Sequence, residues 1–243
     1  MRIVFIGTSH GVPEAVRRCS CTMLEVSGRY YFIDMGTSAI DDITRRGISV
    51  NDVKSIFITH PHGDHTDGLI PFIDIIDWYY TTANPDVYFP DINQANALKG
   101  WLCSTTANKS GIRDGIGMHE VKEGTFYDDG FIKVTAIPTK HCPHSFAYMI
   151  EVEGKSVLFT GDLKHPSDDF PAIAFEKPFD LIVCESAHFS PEDTEAVLEK
   201  TTAKKVVINH VYRTHWAIPL SNVMSRTHKY DLILSNDGME LQI

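Results

Sequence analysis

The chain has 243 residues, 43% of them hydrophobic and 22% charged, a composition that excludes disordered and fibrous classes. Its formal net charge of −10 excludes the general basic surface used for sequence-independent nucleic-acid binding. No apolar run approaches the ~20 residues of a membrane helix, and the N-terminus enters a β-like run without a leader pattern, so the expectation is a cytoplasmic protein without membrane contact.

In chain order, Arg2–Thr8 alternates and is rich in β-branched residues, which predicts a strand. Thr22–Val26 and Arg29–Asp34 flank Ser27-Gly28, a two-residue hairpin signal. Helical spacing over Ser38–Arg46 stops at Gly47, which suits a helix end. Val53–Thr59 reads as a strand leading into His60, Leu69–Tyr80 as an apolar helix, Asp86–Phe89 as a short strand and Asp91–Cys103 as another helix. Ser104–Gly117, rich in Thr, Ser and Gly, reads as a loop.

Phe131–Ile137, Phe146–Val152 and Ser156–Phe159 read as strands, the last two joined through Glu153-Gly154, and Leu181–Cys184 as a buried strand. Ser190 is an N-cap, followed by Pro191 in the first turn and by Glu192 and Asp193 against the helix dipole. Lys205–Asn209 predicts a strand ending at His210, Pro219–His228 a helix, and Leu232–Leu234 and Met239–Ile243 closing strands. No linker or low-complexity stretch divides the chain, so residues 1–243 read as one domain of mixed sheets with helices outside.

The 12 histidines cluster: His60, His62 and His65; His141 and His144; His210 and His215. Each group follows a β-like run, which places imidazoles at strand ends. His60-Pro61-His62-Gly63-Asp64-His65 gathers three imidazoles and a carboxylate around Gly63, which permits a tight turn. Neutral imidazole with carboxylate suits Zn²⁺, Mn²⁺ or Fe. So short a stretch does not bring all its donors to one tetrahedral ion; His60 and His62 can share one, while Asp64 and His65 reach a neighbour. The five cysteines are odd in number and too sparse for a disulfide framework, and Cys19-Ser20-Cys21 lacks zinc-knuckle spacing.

The hexapeptide matches the HxHxDH signature at every defined position, and through it the chain resembles the metallo-β-lactamase superfamily over nearly its whole length. Its ribonuclease-Z-like and small phosphodiesterase branch is the most similar, because Gly7-Thr8-Ser9-His10-Gly11-Val12-Pro13 resembles the opening glycine loop of that branch. The resemblance implies an α/β (α+β) fold: a four-layer αββα sandwich of two mixed β-sheets, with metals at one edge between them. It implies that His60, His62 and His141 ligate one metal, that Asp64, His65 and His210 ligate a second, and that Asp162 bridges the two. It also makes Asp34 the buried acid behind the ligands. His141 is preferred to His144 because its seven-residue spacing to Tyr148 matches the ribonuclease-Z-like pattern, which leaves His144 behind the ligands or exposed.

Two features depart from the transfer-RNA-processing members. Those enzymes insert a long arm between the third histidine and the bridging aspartate, whereas here only 21 positions separate His141 from Asp162. Their His-Glu-Ala-Thr motif is replaced by Cys184-Glu185-Ser186-Ala187.

Two divalent cations, Zn²⁺ foremost and Mn²⁺ or Fe²⁺ as alternatives, would acidify a shared water and stabilise charge on an attacked oxygen, so hydrolysis is the expected reaction. Asp64 is expected to serve catalysis as well as ligation. His188 is the candidate proton donor, with Glu185 orienting a neighbouring histidine. Arg17, Arg18, Lys164 and Arg213 are candidate phosphate contacts. The leading expectation is a small phosphodiester or nucleotide-like substrate, without extended nucleic-acid binding. Carboxylic ester, lactone or thioester hydrolysis is the alternative, and a non-catalytic metal-binding scaffold the alternative of another class. Phe72, Trp78, Tyr79, Tyr80 and Trp101 give Pro71–Gly117 an aromatic character suited to a lid, a substrate wall, core packing or a homodimer surface.

Overall fold

The computed structural model describes residues 1–104 and 112–243. The first half of the chain supplies β1 (Arg2–Gly7), β2 (Cys21–Val26), β3 (Arg29–Met35), β4 (Val53–Phe57), β5 (Asp86–Phe89) and β6 (Gly117–Glu120). The second half supplies β7 (Gly124–Asp128), β8 (Lys133–Pro138), β9 (Phe146–Val152), β10 (Lys155–Phe159), β11 (Leu181–Ser186), β12 (Lys205–Val211) and β13 (Asp231–Leu234), and β14 (Met239–Gln242) returns to the first sheet. The two sheets run β14-β1-β2-β3-β4-β5-β6 and β13-β12-β11-β10-β9-β8-β7. Each combines antiparallel pairings with a parallel run, β3-β4-β5-β6 in one and β10-β11-β12-β13 in the other. The expected hairpin turns form at Ser27-Gly28 (φ 50° and 75°) and Glu153-Gly154 (φ 50° and 76°), the left-handed pairs that match strand twist.

Apolar residues alternate along the strands, and both faces of each sheet are covered. Ile3, Phe5, Tyr31, Ile33 and Phe57 of the first sheet meet Tyr148, Ile150, Val157, Phe159 and Val183 of the second in the central core. The intervening residues Val4, Ile6, Met23, Phe32 and Ile56 pack outward on α1 (Ile40–Arg45), α3 (Leu69–Tyr79) and α4 (Ile92–Ser104); α2 (Gly63–Thr66) carries part of the histidine motif. On the far side, α5 (Pro166–Asp169), α6 (Ile173–Glu176), α7 (Pro191–Leu198) and α8 (Ala217–Ser225) flank the second sheet, with Ala174, Val197, Leu198, Leu220 and Val223 against it. The result is the αββα layering expected from the sequence. In α7, Ser190 accepts from the Asp193 amide, as its N-cap pattern requires.

Several boundaries depart from the sequence reading. β6 and β7 were not expected: each opens on glycine and lies at a sheet edge, where pairing on one side tolerates weak strand formers. β12 continues through His210 because that residue is a bulge, described below. Residues 105–111, half of the predicted loop Ser104–Gly117, lie outside the described residues. Within the aromatic segment Phe72 is core, while Trp78, Tyr79, Tyr80 and Trp101 are exposed.

The sheets are stitched together beside the histidine motif. The buried Tyr148 hydroxyl of β9 donates to the Ile58 carbonyl, just past β4, and the Phe146 amide donates to Thr59 O at 2.9 Å. Tyr148→Phe leaves the Ile58 carbonyl without this donor and is expected to cost about 1–3 kcal/mol. Urea denaturation should show a lower midpoint with an unchanged slope.

Candidate metal centre

Parallel strands place their C-terminal ends on the same side, the usual location of α/β sites. Asp34 on β3 and His60 after β4 enter from one sheet; Asp162 after β10, Glu185 on β11 and His210 on β12 enter from the other. Two β-bulges aim the side chains. Met35 pairs with Cys21 and Ile33 with Thr22, so Asp34 is skipped; Asn209 pairs with Glu185 and Val211 with Ser186, so His210 is skipped. Both bulged residues are left-handed, φ 59° and 46°. Such backbone costs about 1–3 kcal/mol at a non-glycine residue and turns the side chain out of the strand's alternation. Close backbone approach matters as well: a Cβ on Gly36 would stand 1.7 Å from the Asp64 carbonyl oxygen.

The side chains converge in two nests around one carboxylate. His60 Nε2 and His141 Nε2 lie 3.0 and 3.2 Å from His62 Nδ1, and 3.6 and 3.8 Å from Asp162 Oδ2. His65 Nε2 lies 3.4 Å from both Asp64 Oδ2 and Asp162 Oδ1. His210 Nε2 lies 3.5 Å from Asp64 Oδ2 and 3.4 Å from Asp162 Oδ2. Donors about 2.0–2.1 Å from a tetrahedral zinc stand roughly 3.3–3.4 Å from one another, so this spacing fits metal ligation. Among the described residues, His65 Nε2, His210 Nε2 and Asp162 Oδ1 are buried atoms without a hydrogen-bond partner, an arrangement a cation would satisfy.

Each imidazole of the buried set is fixed through its other nitrogen. His65 Nδ1 donates to Asp34 Oδ2 at 2.7 Å, and His210 Nδ1 donates to the Ser9 carbonyl at 2.8 Å. Thr59 donates its hydroxyl to Asp34 and so accepts from His60 Nδ1 at 3.1 Å. These bonds turn the Nε2 atoms toward the nests. Burial opposes protonation of His65, but Asp162 and Asp34 hold its pKa well above the ordinary value. Burial likewise opposes ionisation of Asp162, but His210 and His65 hold it well below.

Beside the nests, His188 turns Nε2 toward Asp162 Oδ2 at 3.8 Å and donates from Nδ1 to the buried Glu185 at 2.8 Å. Glu185 is anchored by the Leu163 and Ala187 amides. Burial works against the charged imidazole, but the hydrogen bond and charge of Glu185, followed by the charge of Asp162, push His188 up to about 9. Its Nε2 is also close enough to join His141 and Asp162 in a third group of potential ligands.

Other expectations are corrected. Arg17 is buried, donating to Glu14 (2.8 Å), to the Val211 carbonyl (3.0 Å) and to Thr8. Arg18 pairs with Asp42 (2.5 Å) and the Ile6 carbonyl (2.7 Å), and Arg213 with Asn236 (2.9 Å) and the Ser235 carbonyl. These guanidiniums are engaged by groups of the fold, and Lys164 is exposed beyond Asp162. His144, left-handed at φ 58° and exposed, stands outside the ligand groups and behind none of them. Cys184 points into the outer core of the second sheet. Thr59 and the Ser9 carbonyl were missed. Thr59 directly precedes His60 and was legible as a neighbour, whereas nothing in the sequence marks a carbonyl as an acceptor.

Two seven-stranded mixed sheets between helices, with a His/Asp cluster at one edge, define the metallo-β-lactamase fold of the ribonuclease-Z-like kind. The metallo-β-lactamase fold protein YhfI from Bacillus subtilis superposes with a TM-score of 0.77 at 14% identity, covering 99% of this chain and 98% of that one. The short form of human tRNase Z superposes at 0.75 and 19% identity, covering 100% and 99%. In sequence, ribonuclease Z from Synechococcus sp. (strain CC9311) is 31% identical over 170 residues, 67% of this chain and 52% of that protein. The chain spans about half the length of the curated relatives it matches. It belongs to the family described as Anti-Pycsar protein Apyc1, which it matches over residues 1–233.

Asp34→Asn should weaken metal affinity by about 10–100-fold by releasing His65 from its tautomer. Equilibrium dialysis against Zn²⁺ would show this, and His144→Ala, outside the ligand groups, should retain wild-type affinity.

Proposed function

We propose that residues 1–243 form one catalytic domain, a metal-dependent hydrolase for a small phosphodiester or nucleotide-like substrate. The observation that carries this reading is the Asp162 carboxylate, whose Oδ2 lies 3.6 and 3.8 Å from His60 and His141 of one nest and 3.4 Å from His210 of the other, while its Oδ1 faces His65. His60, His62, His141 and Asp162 would hold one divalent cation, and Asp64, His65, His210 and Asp162 a second, with Zn²⁺ favoured by the imidazole-rich set. When bound, such a pair supplies acidified water and positive charge against phosphoryl oxygens.

The protein's own groups supply positioning and the proton. Asp64, kept ionised against burial by its hydrogen bond to His65 and by His210, orients the incoming water. His188 delivers the Nε2 proton to the departing oxygen, and Glu185 fixes its ring and stabilises its charged form. The relatives named ribonuclease Z, whose name denotes cleavage of RNA, support phosphodiester chemistry. Three features support a small substrate over a folded RNA. The net charge is −10, the interval from His141 to Asp162 is filled by the tight β9–β10 hairpin, and three candidate phosphate arginines are taken up by the fold.

His188→Ala should cut turnover by about 10²–10⁴ for esters with alkoxide leaving groups. The loss should shrink for p-nitrophenyl esters, whose leaving group departs without a proton. Equal losses on both would remove His188 as the acid.

The substrate class is tested by comparing kcat/KM for a small phosphodiester, a lactone, a thioester and a precursor transfer RNA at one metal and salt condition. The small phosphodiester should lead. Dominant lactone or thioester turnover would assign the site to carboxylic esters, and dominant RNA turnover would overturn the small-substrate reading.

A further inference from the structure

In the nest of His60, His62, His141 and Asp162, one ring is delivered by a turn rather than by a strand end. His141 lies between β8 and β9, in the turn Thr139–Ser145. His60, His65 and His210 are each oriented through Nδ1 by a side chain or carbonyl of the fold. Among the described residues His141 has no such bond; its Nε2 faces His62 Nδ1 at 3.2 Å. Where this ring stands therefore depends on where its backbone is docked.

The turn is closed on itself. The Thr139 amide donates to the Ser145 carbonyl at 2.9 Å, and the buried Ser145 hydroxyl donates inward to the Cys142 carbonyl, 2.8 Å away. A turn closed in this way moves as a unit. On the β9 side it is tied toward His60, because the Phe146 amide donates to Thr59 O. On the other side it is docked by Asp169, the last residue of α5. Asp169 Oδ1 accepts from the Lys140 amide at 2.7 Å, and Oδ2 accepts from the Lys164 amide at 2.9 Å. Lys140 immediately precedes His141, and Lys164 is two residues past Asp162. One carboxylate thus joins the segments that deliver two ligands of the same nest. Asp169 is buried, which shields both bonds from water, and it belongs to none of the potential ligand groups among the described residues. It is itself held by α5, where its amide and that of Asp168 both donate to the His165 carbonyl at 3.1 Å.

The two joined segments depend on this carboxylate unequally. Asp162 follows β10 closely, and the next amide, that of Leu163, donates to the buried Glu185. At the His141 end the further contacts to this side are weaker. Lys140 Nζ donates to the Asp168 carbonyl at an exposed position, and the Thr139 hydroxyl reaches the Asp162 carbonyl at 3.4 Å. Removing the Asp169 carboxylate therefore frees His141 and leaves Asp162 in place for Asp64, His65 and His210.

We propose that Asp169 is a positioning residue for one of the two cation sites: it docks the His141 turn against the Asp162 loop and so sets how tightly His60, His62, His141 and Asp162 hold their ion. The proposal rests on the reading of the centre as two cation sites.

The test titrates the metal-stripped protein with Zn²⁺ against a competing chelator, which reads the binding steps, and with Cd²⁺, whose NMR spectrum gives one resonance per occupied site. His141→Ala marks the step and the resonance that belong to its nest. Asp169→Ala should weaken that step by about 10- to 100-fold and shift or broaden that resonance, while the other step and resonance stay as in wild type. Asp169→Asn keeps one acceptor oxygen and should weaken the same step by less. Equal weakening of both steps would show general loosening of the fold and overturn the proposal, as would unchanged affinities or a loss confined to the other step. Should Asp169→Ala not fold, the same comparison on Asp169→Asn decides. If wild type holds a single ion that His141→Ala abolishes, the two-site reading fails on its own, and Asp169→Ala must still weaken that ion or the proposal falls. A wild type that binds no zinc, or only an ion that His141→Ala leaves in place, overturns both.

Discussion

A carboxylate buried among imidazoles is the constraint on which this molecule turns. Asp162 is 3% exposed, and its Oδ1 has no hydrogen-bond partner among the described residues. Leaving an ionised group in that state costs several kcal/mol unless opposite charge is close. Here imidazoles surround it, with His60, His65, His141, His188 and His210 all within 3.8 Å. Each draws its orientation from a different part of the chain, so the carboxylate is satisfied only when both sheets have closed on one another.

That requirement gives the local irregularities a purpose. Asp34 and His210 both sit in bulges with left-handed backbone, one on each sheet. A regular strand would turn each of these side chains onto a sheet face. The bulges instead aim them along the edge, where Asp34 meets His65 and Thr59 and where His210 meets Asp162. The nearby arginines extend the same logic. Arg17 and Arg213 bind the carbonyls of Val211 and Ser235 and thereby hold the segment on which Tyr212 stacks with His10 and His215.

Much of this was legible in the sequence because the chemistry is local there. The His60–His65 hexapeptide carries four donors in one turn, and strand periodicity located the runs that deliver Asp34, Asp162 and His210. The seven-residue spacing to Tyr148, matched to the ribonuclease-Z-like pattern, favoured His141, which lies in a group that could hold a metal, over His144, which among the described residues lies in none. The bulges are not legible, because a two-residue period passes through a skipped residue without trace; the period ends at Asn209, whereas β12 runs on through His210 to Val211. The arginine partners were equally hidden, since a guanidinium in sequence says nothing about which distant carbonyl or carboxylate it will meet. β6 and β7 escaped because edge strands need little intrinsic strand preference.

The central claim is that Asp162 joins two cation sites. Anomalous diffraction from crystals of the zinc-loaded protein, together with elemental analysis of the same preparation, tests it most directly. The account predicts two zinc ions per chain, about 3.5–4 Å apart, one on each side of the Asp162 carboxylate. A single ion at saturating zinc, or ions bound away from Asp162, would contradict it.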